Sequence, residues 1–577
     1  MSTATDLRWD LDSLFPGLDS AEYEAAVASL KGKLDALEGA LGKGAELDEL
    51  IEAYNVAQFE ASNLGTYTYC HVSSDSSNAR AQARLSELDP DFARLRKLSK
   101  SLAARVGDLD LGTELDSVAS ARDHEFALLK MKITSEHLMN PAEEALASDM
   151  ELTGSVAWTK LYRNVTSRLE AEVEGEKMPI SAVRALAYDP SRQKRRAAYE
   201  AELKAWPTVE IPLAAAMNSI KGETIALGER RGWPSPLDQA LFNSNIDAAT
   251  LEAMMTAAHE SFPDFRRYLK AKARKLGVEK LAFYDLFAPV GEGGRVWAVE
   301  EAKSFVSKQF YTFSERMGGL AERSYDERWT DWEPRPGKVD GAYCAPAGRD
   351  GSRVLMNFKP SFGSVSTLAH ELGHAYHNLC LGSRTPLQRG TPMTLAETAS
   401  IFCETVIRQA SLATMEGEEA LGVLEASLQG SCQVVVDITS RYLFEKGVFE
   451  DRKARELTPE EMCAKMRDAQ LATYGDGLDP EALHPYMWAA KGHYYGRAFY
   501  NFPYMFGLLF ALGLYAVYLE EGEAFVPRYD ELLSSTGLAD AATLADKFGI
   551  DIRTPDFWRA SLATIRGDID RFESLVS

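Results

Sequence analysis

The sequence is poor in cysteine and in net positive charge, and each shortage excludes a class of protein. Its 577 residues include six cysteines without a Cys-x-x-Cys pair. No disulfide framework is therefore expected, and a reduced cytoplasmic protein fits best. The formal net charge of −23 argues against nucleic acids and anionic membrane surfaces as partners.

The chain also lacks an apolar segment of full membrane-spanning length. Its N-terminus has no basic region followed by an apolar run, so no signal peptide is expected. The most apolar stretch, Tyr504 to Leu519, is shorter than the roughly 20 residues of a typical transmembrane helix. We therefore predict a helix that is buried on all sides in a large soluble protein.

Most of the chain has the apolar spacing of helices. A chain of 577 residues is too long for a single hydrophobic core, so two or three subdomains are expected. Asp19 is the predicted N-cap of the first long helix. The apolar positions of this helix recur every three or four residues: Tyr23, Val27, Leu30, Leu34, Leu37 and Leu41. An alternating segment within 166–180, with Gly175 at its turn, predicts a small hairpin.

The sequence Thr367 to His377 contains the pattern His-Glu-x-x-His. The apolar residues around the pattern predict a helix, on which His370 and His374, four residues apart, share one face. Both imidazoles can then hold one Zn²⁺ ion that keeps an open position for water. Glu371 lies one step round the helix, where its carboxylate can take the proton of that water.

The third metal ligand has to come from elsewhere. A metzincin would have Gly and His at the positions that are His377 and Cys380 here, so that class is excluded. Glu397 follows a segment broken by Pro386, Gly390 and Pro392, which allows the chain to turn back. Its carboxylate would face apolar neighbours unless a cation were present, so Glu397 is the predicted third ligand.

Two further residues share these helix faces. Glu404 lies seven residues beyond Glu397, and we interpret it as a second-shell residue that bonds a ligand histidine. An ordinary exposed glutamate remains the alternative. His377 shares the face of His374 and is interpreted as second shell or structural.

Two short strands are predicted before the metal helix. Gly341 to Cys344 and Arg353 to Phe358 are separated by Gly348 and Gly351, which is typical of a hairpin. A strand beside a peptidase site can pair with an extended substrate backbone. A purely structural hairpin is the other interpretation.

Near the C-terminus, His493 lies in a stretch crowded with aromatic residues. Imidazole and phenol groups can donate hydrogen bonds to the oxyanion that develops during amide hydrolysis. From the residues alone, an aromatic core cluster is the favoured interpretation of this stretch.

Several motifs together resemble oligoendopeptidase F and the wider thimet-type (M3) family of zinc metallopeptidases. The shared segments are Trp9-Asp10-Leu11 with Leu14-Phe15, Ser74-Asp75 with Asn78, Glu172-Val173-Glu174-Gly175, His370-Glu371-Leu372-Gly373-His374 and Ala396-Glu397-Thr398-Ala399-Ser400.

The resemblance assigns roles to residues. It implies one Zn²⁺ per chain, bound by His370, His374 and Glu397, with Glu371 as the general base. His493 matches a histidine that holds the tetrahedral intermediate in this family. Tyr500 and Tyr504 are the main candidates for its tyrosine partners, and Tyr495 is the next candidate.

The resemblance also implies a fold and an activity. The expected fold is mainly α and gluzincin-like, with two helical halves around a deep channel and a small sheet beside the metal helix. The expected domains are an N-terminal helical domain (1–200) and a catalytic domain (201–577). The expected activity is cleavage of internal bonds in short unstructured peptides by a cytoplasmic monomer or small homo-oligomer. The alternatives are a zinc carboxypeptidase or dipeptidyl carboxypeptidase, and a catalytically silent zinc-containing peptide-binding protein.

Overall fold

A computed structural model of the chain describes residues 7–291 and 295–577. These residues are mostly α-helical and form two small sheets, which confirms the predicted mainly α fold. The elements are α1 (Ala21–Gly42), α2 (Leu47–Ser74), α3 (Ala79–Gly107), α4 (Leu111–Ser117), α5 (Ala119–Asp123), α6 (Glu125–Glu136), α7 (Pro141–Glu151), α8 (Ser155–Thr166), β1 (Glu170–Val173), β2 (Glu176–Pro179), α9 (Ile180–Ala185), α10 (Arg192–Ala205), α11 (Glu210–Arg230), α12 (Pro236–Asn243), α13 (Ala248–Lys275), α14 (Val299–Phe313), α15 (Glu315–Asp326), β3 (Thr330–Asp331), β4 (Tyr343–Ala347), β5 (Gly351–Leu355), α16 (Phe362–Cys380), α17 (Met393–Ala396), α18 (Thr398–Leu412), α19 (Gly417–Cys432), α20 (Ile438–Arg452), α21 (Pro459–Tyr474), α22 (Met487–Ala490), α23 (Phe502–Glu521), α24 (Phe525–Ser534), α25 (Ala541–Asp546) and α26 (Pro555–Val576).

The chain divides into two compact units, each assembled from three stretches. Unit 1 is drawn from the ranges Met1–His137, Arg295–Ser411 and Val517–Phe548. Unit 2 is drawn from Leu138–Gly294, Leu412–Ala516 and Gly549–Ser577. The predicted boundary at residue 200 coincides with none of these breaks, because α10 runs through it. The separate roles assigned to residues 1–200 and 201–577 stay a prediction.

In unit 1, the apolar stripe of α1 is buried against α2 and α3. Tyr23, Leu30, Leu34 and Leu37 are almost fully buried in one cluster, which also includes Leu355 of the sheet. The periodic spacing of these residues is therefore the reason that α1 packs with this face inward.

The predicted N-cap of α1 is wrong by one residue. Ser20 Oγ accepts a hydrogen bond from the Tyr23 N–H at 3.2 Å, so Ser20 is the cap. Asp19 instead pairs with the guanidinium groups of Arg80 and Arg84. Serine and aspartate cap helices about equally well. The Asp19 carboxylate forms charge-assisted hydrogen bonds with the two distant arginines when it is not the cap, and such bonds are stronger than neutral ones.

The sheet of unit 1 lies beside α16, the helix that contains the His-Glu-x-x-His pattern. Its strand order is β3-β5-β4, with β5 parallel to β3 and antiparallel to β4. The two predicted strands are both present, although β4 extends to Ala347 and β5 spans Gly351–Leu355 rather than 353–358. Helix α16 packs on β4 and β5. Among the described residues, β4 pairs with β5 alone and is therefore an edge strand.

Unit 2 contains the predicted hairpin and a local irregularity in a long helix. Strands β1 and β2 pair from Glu170↔Pro179 to Val173↔Glu176. Glu174 and Gly175 both have positive φ, the geometry of a tight two-residue hairpin turn. Between α19 and α20, residues Gln433–Asp437 form one turn of π-helix. Turns of this kind widen a helix and are common at functional sites.

The apolar stretch from Tyr504 to Leu519 lies in α23. Residues such as Met505, Phe506 and Leu509 are completely buried. One 18-residue window within 502–534 is long and apolar enough to cross a membrane, and 67% of it is buried inside the protein. Burial to this extent is typical of a core helix, as the sequence predicts.

Candidate metal centre and active site

His370 and His374, one turn apart on α16, direct their Nε2 atoms at one carboxylate. Each Nε2 lies 3.4 Å from Glu397 Oε2. The candidate ligand atoms of the three residues all lie within 4.8 Å of one another. Two imidazole nitrogens and one carboxylate oxygen are the donor set of a zinc site that keeps one position open. The fold thus brings the three predicted ligands together.

The approach of Glu397 to α16 depends on Gly373. Glu397 occupies the one-residue break between α17 and α18, where its φ and ψ are −90° and 3°. A Cβ atom on Gly373 would lie 2.6 Å from both Ala399 O and Ser400 Cα. Real Cβ atoms do not come this close to a backbone, so any larger residue at 373 would push α18 away from α16. The glycine inside the histidine pair therefore sets the distance to the third ligand.

The electrostatics of this cluster call for a cation. Burial lowers the pKa of His370, but the hydrogen bond to Glu404 and the charges of Glu404, Glu397 and Glu371 outweigh it and raise that pKa to about 9. Burial lowers the pKa of His374 to about 4. Three carboxylates thus surround two imidazoles. A divalent metal ion would neutralise this excess of negative charge.

Glu371 is buried next to the cluster and one of its oxygens has no partner. Glu371 is 5% exposed, and its Oε2 makes no hydrogen bond to any described residue. Burial raises the pKa of Glu371 to about 7, against the opposing effect of His370. A buried carboxylate oxygen without a hydrogen bond from the protein is unfavourable unless a water molecule or a substrate donates a hydrogen bond to it.

Other side chains hold the candidate ligands in place. Glu404 Oε2 lies 3.4 Å from His370 Nδ1, on the side of the ring away from Glu397. Ser400 Oγ donates a hydrogen bond to Glu397 Oε2 at 2.7 Å. The ring of His374 bonds to the backbone of Ala396. Partners of this kind fix the orientation and tautomer of metal ligands.

His377 has a different environment from the three candidate ligands. Its Nε2 lies 2.9 Å from Thr536 Oγ1, and the residue is 4% exposed. Burial lowers the pKa of His377 to about 4, and His374 contributes in the same direction. A neutral imidazole that bonds Thr536 ties α16 to the segment after α24. It does not belong to the His370, His374, Glu397 cluster.

Unit 2 contains the histidine–tyrosine cluster. The ring of His493 is 5.0 Å from that of Tyr500 and 6.1 Å from that of Tyr504, and the two tyrosine rings are 5.7 Å apart. His493 Nδ1 lies 2.9 Å from Asn501 Oδ1, which also accepts from Arg441 Nη1 at 3.4 Å. Burial lowers the pKa of His493 in spite of the Asn501 contact, and Arg441 adds to the effect.

The loop that carries these rings is strained at one residue. Phe499 has φ = 51°, a backbone region that bulky residues rarely adopt. Its N–H donates to Glu445 Oε1 at 3.0 Å, and the Glu445 carboxylate is held by the buried Lys221. Strained backbone is common where a site is held in a preset geometry.

Tyr495, the third tyrosine candidate, is part of the core of unit 2. It is completely buried and stacks on Tyr162 with ring centroids 3.9 Å apart. Its position differs from those of Tyr500 and Tyr504, which both lie against His493.

Comparison with protein families assigns this geometry to a known class. The model of peptidase family M3 matches residues 185–564, which is more than half of the chain and includes the metal cluster and His493. The chain belongs to peptidase family M3. The resemblance drawn from the motifs is thereby confirmed. Family M3 consists of metallopeptidases, in keeping with the His-His-Glu cluster.

The curated relatives of this M3 peptidase extend over nearly its whole length. It is 25% identical to oligopeptidase PepF of Bacillus subtilis (strain 168), over 98% of the chain and 87% of the relative. It is 22% identical to an oligoendopeptidase F homolog of Lactococcus lactis, over 99% of the chain and 97% of the relative. The M3 chain is therefore similar over nearly its whole length to proteins named oligopeptidase PepF and oligoendopeptidase F.

Solved structures have the same fold as this M3 peptidase. One of them is a protein from Chlamydophila abortus that is assigned as a peptidase. It superposes with a TM-score of 0.85 over 100% of the present chain and 99% of the Chlamydophila chain. Oligoendopeptidase F from Enterococcus faecium gives a TM-score of 0.70 over 96% and 99%. Both are 19% identical to the M3 chain, so the likeness is one of fold.

Sequence reasoning missed a residue at each of the two clusters. Asn501 bonds His493, and Ser400 bonds Glu397, yet neither residue type stands out in a polar or aromatic segment. The close helix approach at Gly373 had a usable signal, because a glycine in the interior of a helix usually has a packing reason.

Proposed function

We propose that this chain is a zinc-dependent metalloendopeptidase that hydrolyses internal bonds of short unstructured peptides. The observation that carries the proposal is the juxtaposition of the His370, His374, Glu397 cluster with the unbonded carboxylate oxygen of Glu371. The names of its relatives, oligopeptidase and oligoendopeptidase, support the substrate class.

Zinc is the metal that the donor set favours. His370 Nε2, His374 Nε2 and the Glu397 carboxylate would hold it, and Glu404 and Ser400 would orient two of these ligands. When bound, zinc supplies Lewis acidity, which polarises a carbonyl group and lowers the pKa of a water molecule.

Glu371 is the proposed general base. Its Oε2 takes a proton from the attacking water and then passes that proton to the nitrogen of the leaving amine. The buried surroundings keep the carboxylate weakly solvated, so its basicity is higher than that of an exposed glutamate.

His493, Tyr500 and Tyr504 are the proposed partners of the developing oxyanion. Both the Arg441 N–H and the His493 ring contact the Asn501 oxygen, so the hydrogen of His493 lies on Nδ1. Nε2 then carries a hydrogen only when the ring is protonated. We propose that His493 acts as an imidazolium, because the developing oxyanion favours the protonated ring. The tyrosine hydroxyls donate to the oxyanion as neutral groups.

Strand β4 is the proposed binding element for the peptide backbone. It is an edge strand among the described residues, and it packs beside α16. Its free edge suits an extended peptide, which would add a strand through main-chain hydrogen bonds. We also propose a cytoplasmic location and a monomer or small homo-oligomer as the working form.

The experiment that tests the function uses a short peptide blocked at both termini, with and without a chelator, and mass spectrometry of the products. Internal cuts that vanish with chelator and return with zinc are expected. Failure to cut the blocked peptide, together with stepwise loss of C-terminal residues from an unblocked one, would instead support a carboxypeptidase. Cleavage of neither peptide by zinc-loaded protein would support a peptide-binding protein.

A further inference from the structure

Unit 2 encloses a cavity that the proposed peptidase chemistry does not use. Its volume is about 310 Å³, at the lower end of the range of small-molecule sites, which is roughly 300–1,000 Å³. Its walls are formed by residues of three segments: from α9 to Phe287, around the π-helical turn, and from Tyr474 to Lys491. All of the lining residues belong to unit 2, and we call this space the unit 2 cavity.

One side of the unit 2 cavity is aromatic. Tyr199 and Tyr284 pack with ring centroids 5.3 Å apart. Tyr188 and Phe287 pack at 5.1 Å, and Tyr188 is 60% exposed. A large aromatic side chain that is more than half exposed at the edge of a cavity offers apolar surface to a ligand.

The residues that line the cavity include three cations, Arg184, Arg195 and Lys491, and two carboxylates, Glu202 and Asp437. Arg184 pairs with Glu202, whereas Asp437 and Arg195 pair with Arg441 and Asp285, which do not line the cavity. The lining therefore has an excess of one positive charge.

Lys491 is the charge that remains after this pairing. The carboxylates of Asp437 and Glu202 act on its ammonium group, but each of them already pairs with an arginine. Burial lowers the pKa of Lys491 to about 8, and Arg441 adds to this effect, against the opposing charges of Asp437 and Glu202. An anion that enters the cavity would therefore be favoured beside this cation.

A further polar group along the cavity lacks a partner among the described residues. His484 is 1% exposed, its Nε2 lies 3.2 Å from Glu202, and no described residue bonds its Nδ1. Gln429 and Gln433 also line the cavity. A buried histidine nitrogen without a partner is rare in the absence of water or a ligand.

The π-helical turn contributes to the same wall. Gln433 and Asp437, its first and last residues, both line the cavity. The turn breaks the regular hydrogen-bond ladder of a helix that otherwise runs from Gly417 to Arg452. Such a defect is retained where it positions side chains, and here it directs two polar residues to one cavity.

We propose that the unit 2 cavity is a second binding site, specific for small carboxylic acids with an aromatic or branched apolar body. Lys491 pairs with the carboxylate, and the aromatic wall covers the apolar body. A free amino acid and the C-terminal end of a short peptide both have this chemistry. The site is separate from the metal centre and goes beyond the peptidase function.

The test measures binding to the full-length chain by titration calorimetry, in chelator and again with zinc. The probe is N-acetyl-L-phenylalanine, and its amide, which lacks the carboxylate, is the matched control ligand. We expect the acid to bind at least 10-fold more tightly than the amide, since a charge-assisted pair contributes about 1.5–3 kcal/mol. Equal affinity of acid and amide, or no binding of the acid at millimolar concentration, would overturn the proposal.

Variants locate the bound acid. Lys491→Met should lower its affinity at least 10-fold, whereas Lys491→Arg should retain it. Lys446→Met removes an exposed lysine of the same unit and should change nothing. Unchanged affinity in a folded Lys491→Met protein would overturn the assignment. The acid-against-amide comparison needs no variant, so it remains decisive if Lys491→Met does not fold.

Two further probes identify the source of the ligand. Tighter binding of L-phenylalanine would indicate a free amino acid, and tighter binding of glycyl-L-phenylalanine would indicate a peptide C-terminus. The Glu371→Gln background keeps the dipeptide intact. Because binding is measured rather than turnover, an inactive peptidase would leave the result unaffected, and a failed titration would leave the peptidase proposal standing.

Discussion

The metal cluster of unit 1 and the cavity of unit 2 are unbalanced in charge, with opposite signs. At the metal cluster, Glu371, Glu397 and Glu404 surround two imidazoles. In the cavity, the lining includes three cations, Arg184, Arg195 and Lys491, against the carboxylates of Glu202 and Asp437. Buried unpaired charge is unfavourable, so it persists in a protein mainly where a ligand completes it. The sign of the surplus then indicates the charge of the missing ligand.

The first prediction removes part of the negative surplus. Glu397→Ala deletes a proposed metal ligand and should abolish both stoichiometric zinc binding and peptide cleavage. Zinc content by atomic absorption and cleavage of the blocked peptide are the measurements. Glu404→Ala is the matched control and should lower zinc affinity by about 10–100-fold, because Glu404 acts through His370. Full zinc content in Glu397→Ala would transfer the ligand role to Glu404.

The second prediction keeps the metal and removes the base. Glu371→Gln should bind zinc normally, because residue 371 is not one of the three ligands. Its kcat should fall by about 10²–10⁴, the usual contribution of a general base. Normal turnover in a zinc-loaded Glu371→Gln protein would contradict the proposed role.

The third prediction concerns the orientation and charge of His493. Asn501→Leu removes the acceptor at Nδ1 and should lower kcat by about 10–100-fold with little change in KM. Asn501→Asp restores an acceptor and adds a negative charge, which raises the pKa of His493. Activity that needs the protonated ring is lost as pH rises through this pKa, so the alkaline limb of the kcat profile should shift upward in Asn501→Asp. An unchanged pH profile would argue against the imidazolium role.

The fourth prediction tests the helix approach that places Glu397. Gly373→Ala adds a Cβ atom that would lie 2.6 Å from Ala399 O, so α18 must move and zinc affinity should fall by about 10–100-fold. Gly363→Ala is the control on the same helix, because its Cβ would meet only Ser361 Oγ at 3.7 Å. Equal zinc affinities of the two variants in a chelator competition would contradict the packing argument.

The fifth prediction tests the balanced part of the unit 2 cavity. Burial opposes ionisation of Glu202, but His484, Arg184 and Trp206 lower its pKa from 4.5 to about 2. A lowered carboxylate pKa stabilises the fold above pH 4.5 and loses this effect as pH falls towards 2. Glu202→Gln should therefore lower the free energy of unfolding by on the order of 3 kcal/mol at pH 7. The difference from wild type, measured by urea unfolding, should shrink below pH 4.5; a constant difference would contradict it.

Local sequence was sufficient for the candidate metal ligands and for much of the helical fold. The four-residue spacing of His370 and His374 fixes their common face, because an α-helix repeats every 3.6 residues. The glycine and proline residues before Glu397 predict the turn that the chain makes. The N-cap at Ser20 and the ends of β5 were missed by one to three residues, since neighbouring residues compete for such positions.

The sequence by itself determined the family, the helical class and the spacing of the candidate metal ligands, because these depend on residues that are near one another in the chain. Only the tertiary structure decided which stretches of the chain form each unit, which residues contact His493 and which residues line the unit 2 cavity. Lys491, Gln433 and Arg184 meet at one cavity although far apart in the chain. The charge of Lys491 becomes unfavourable only after burial removes water, and a linear pattern of residues does not record burial.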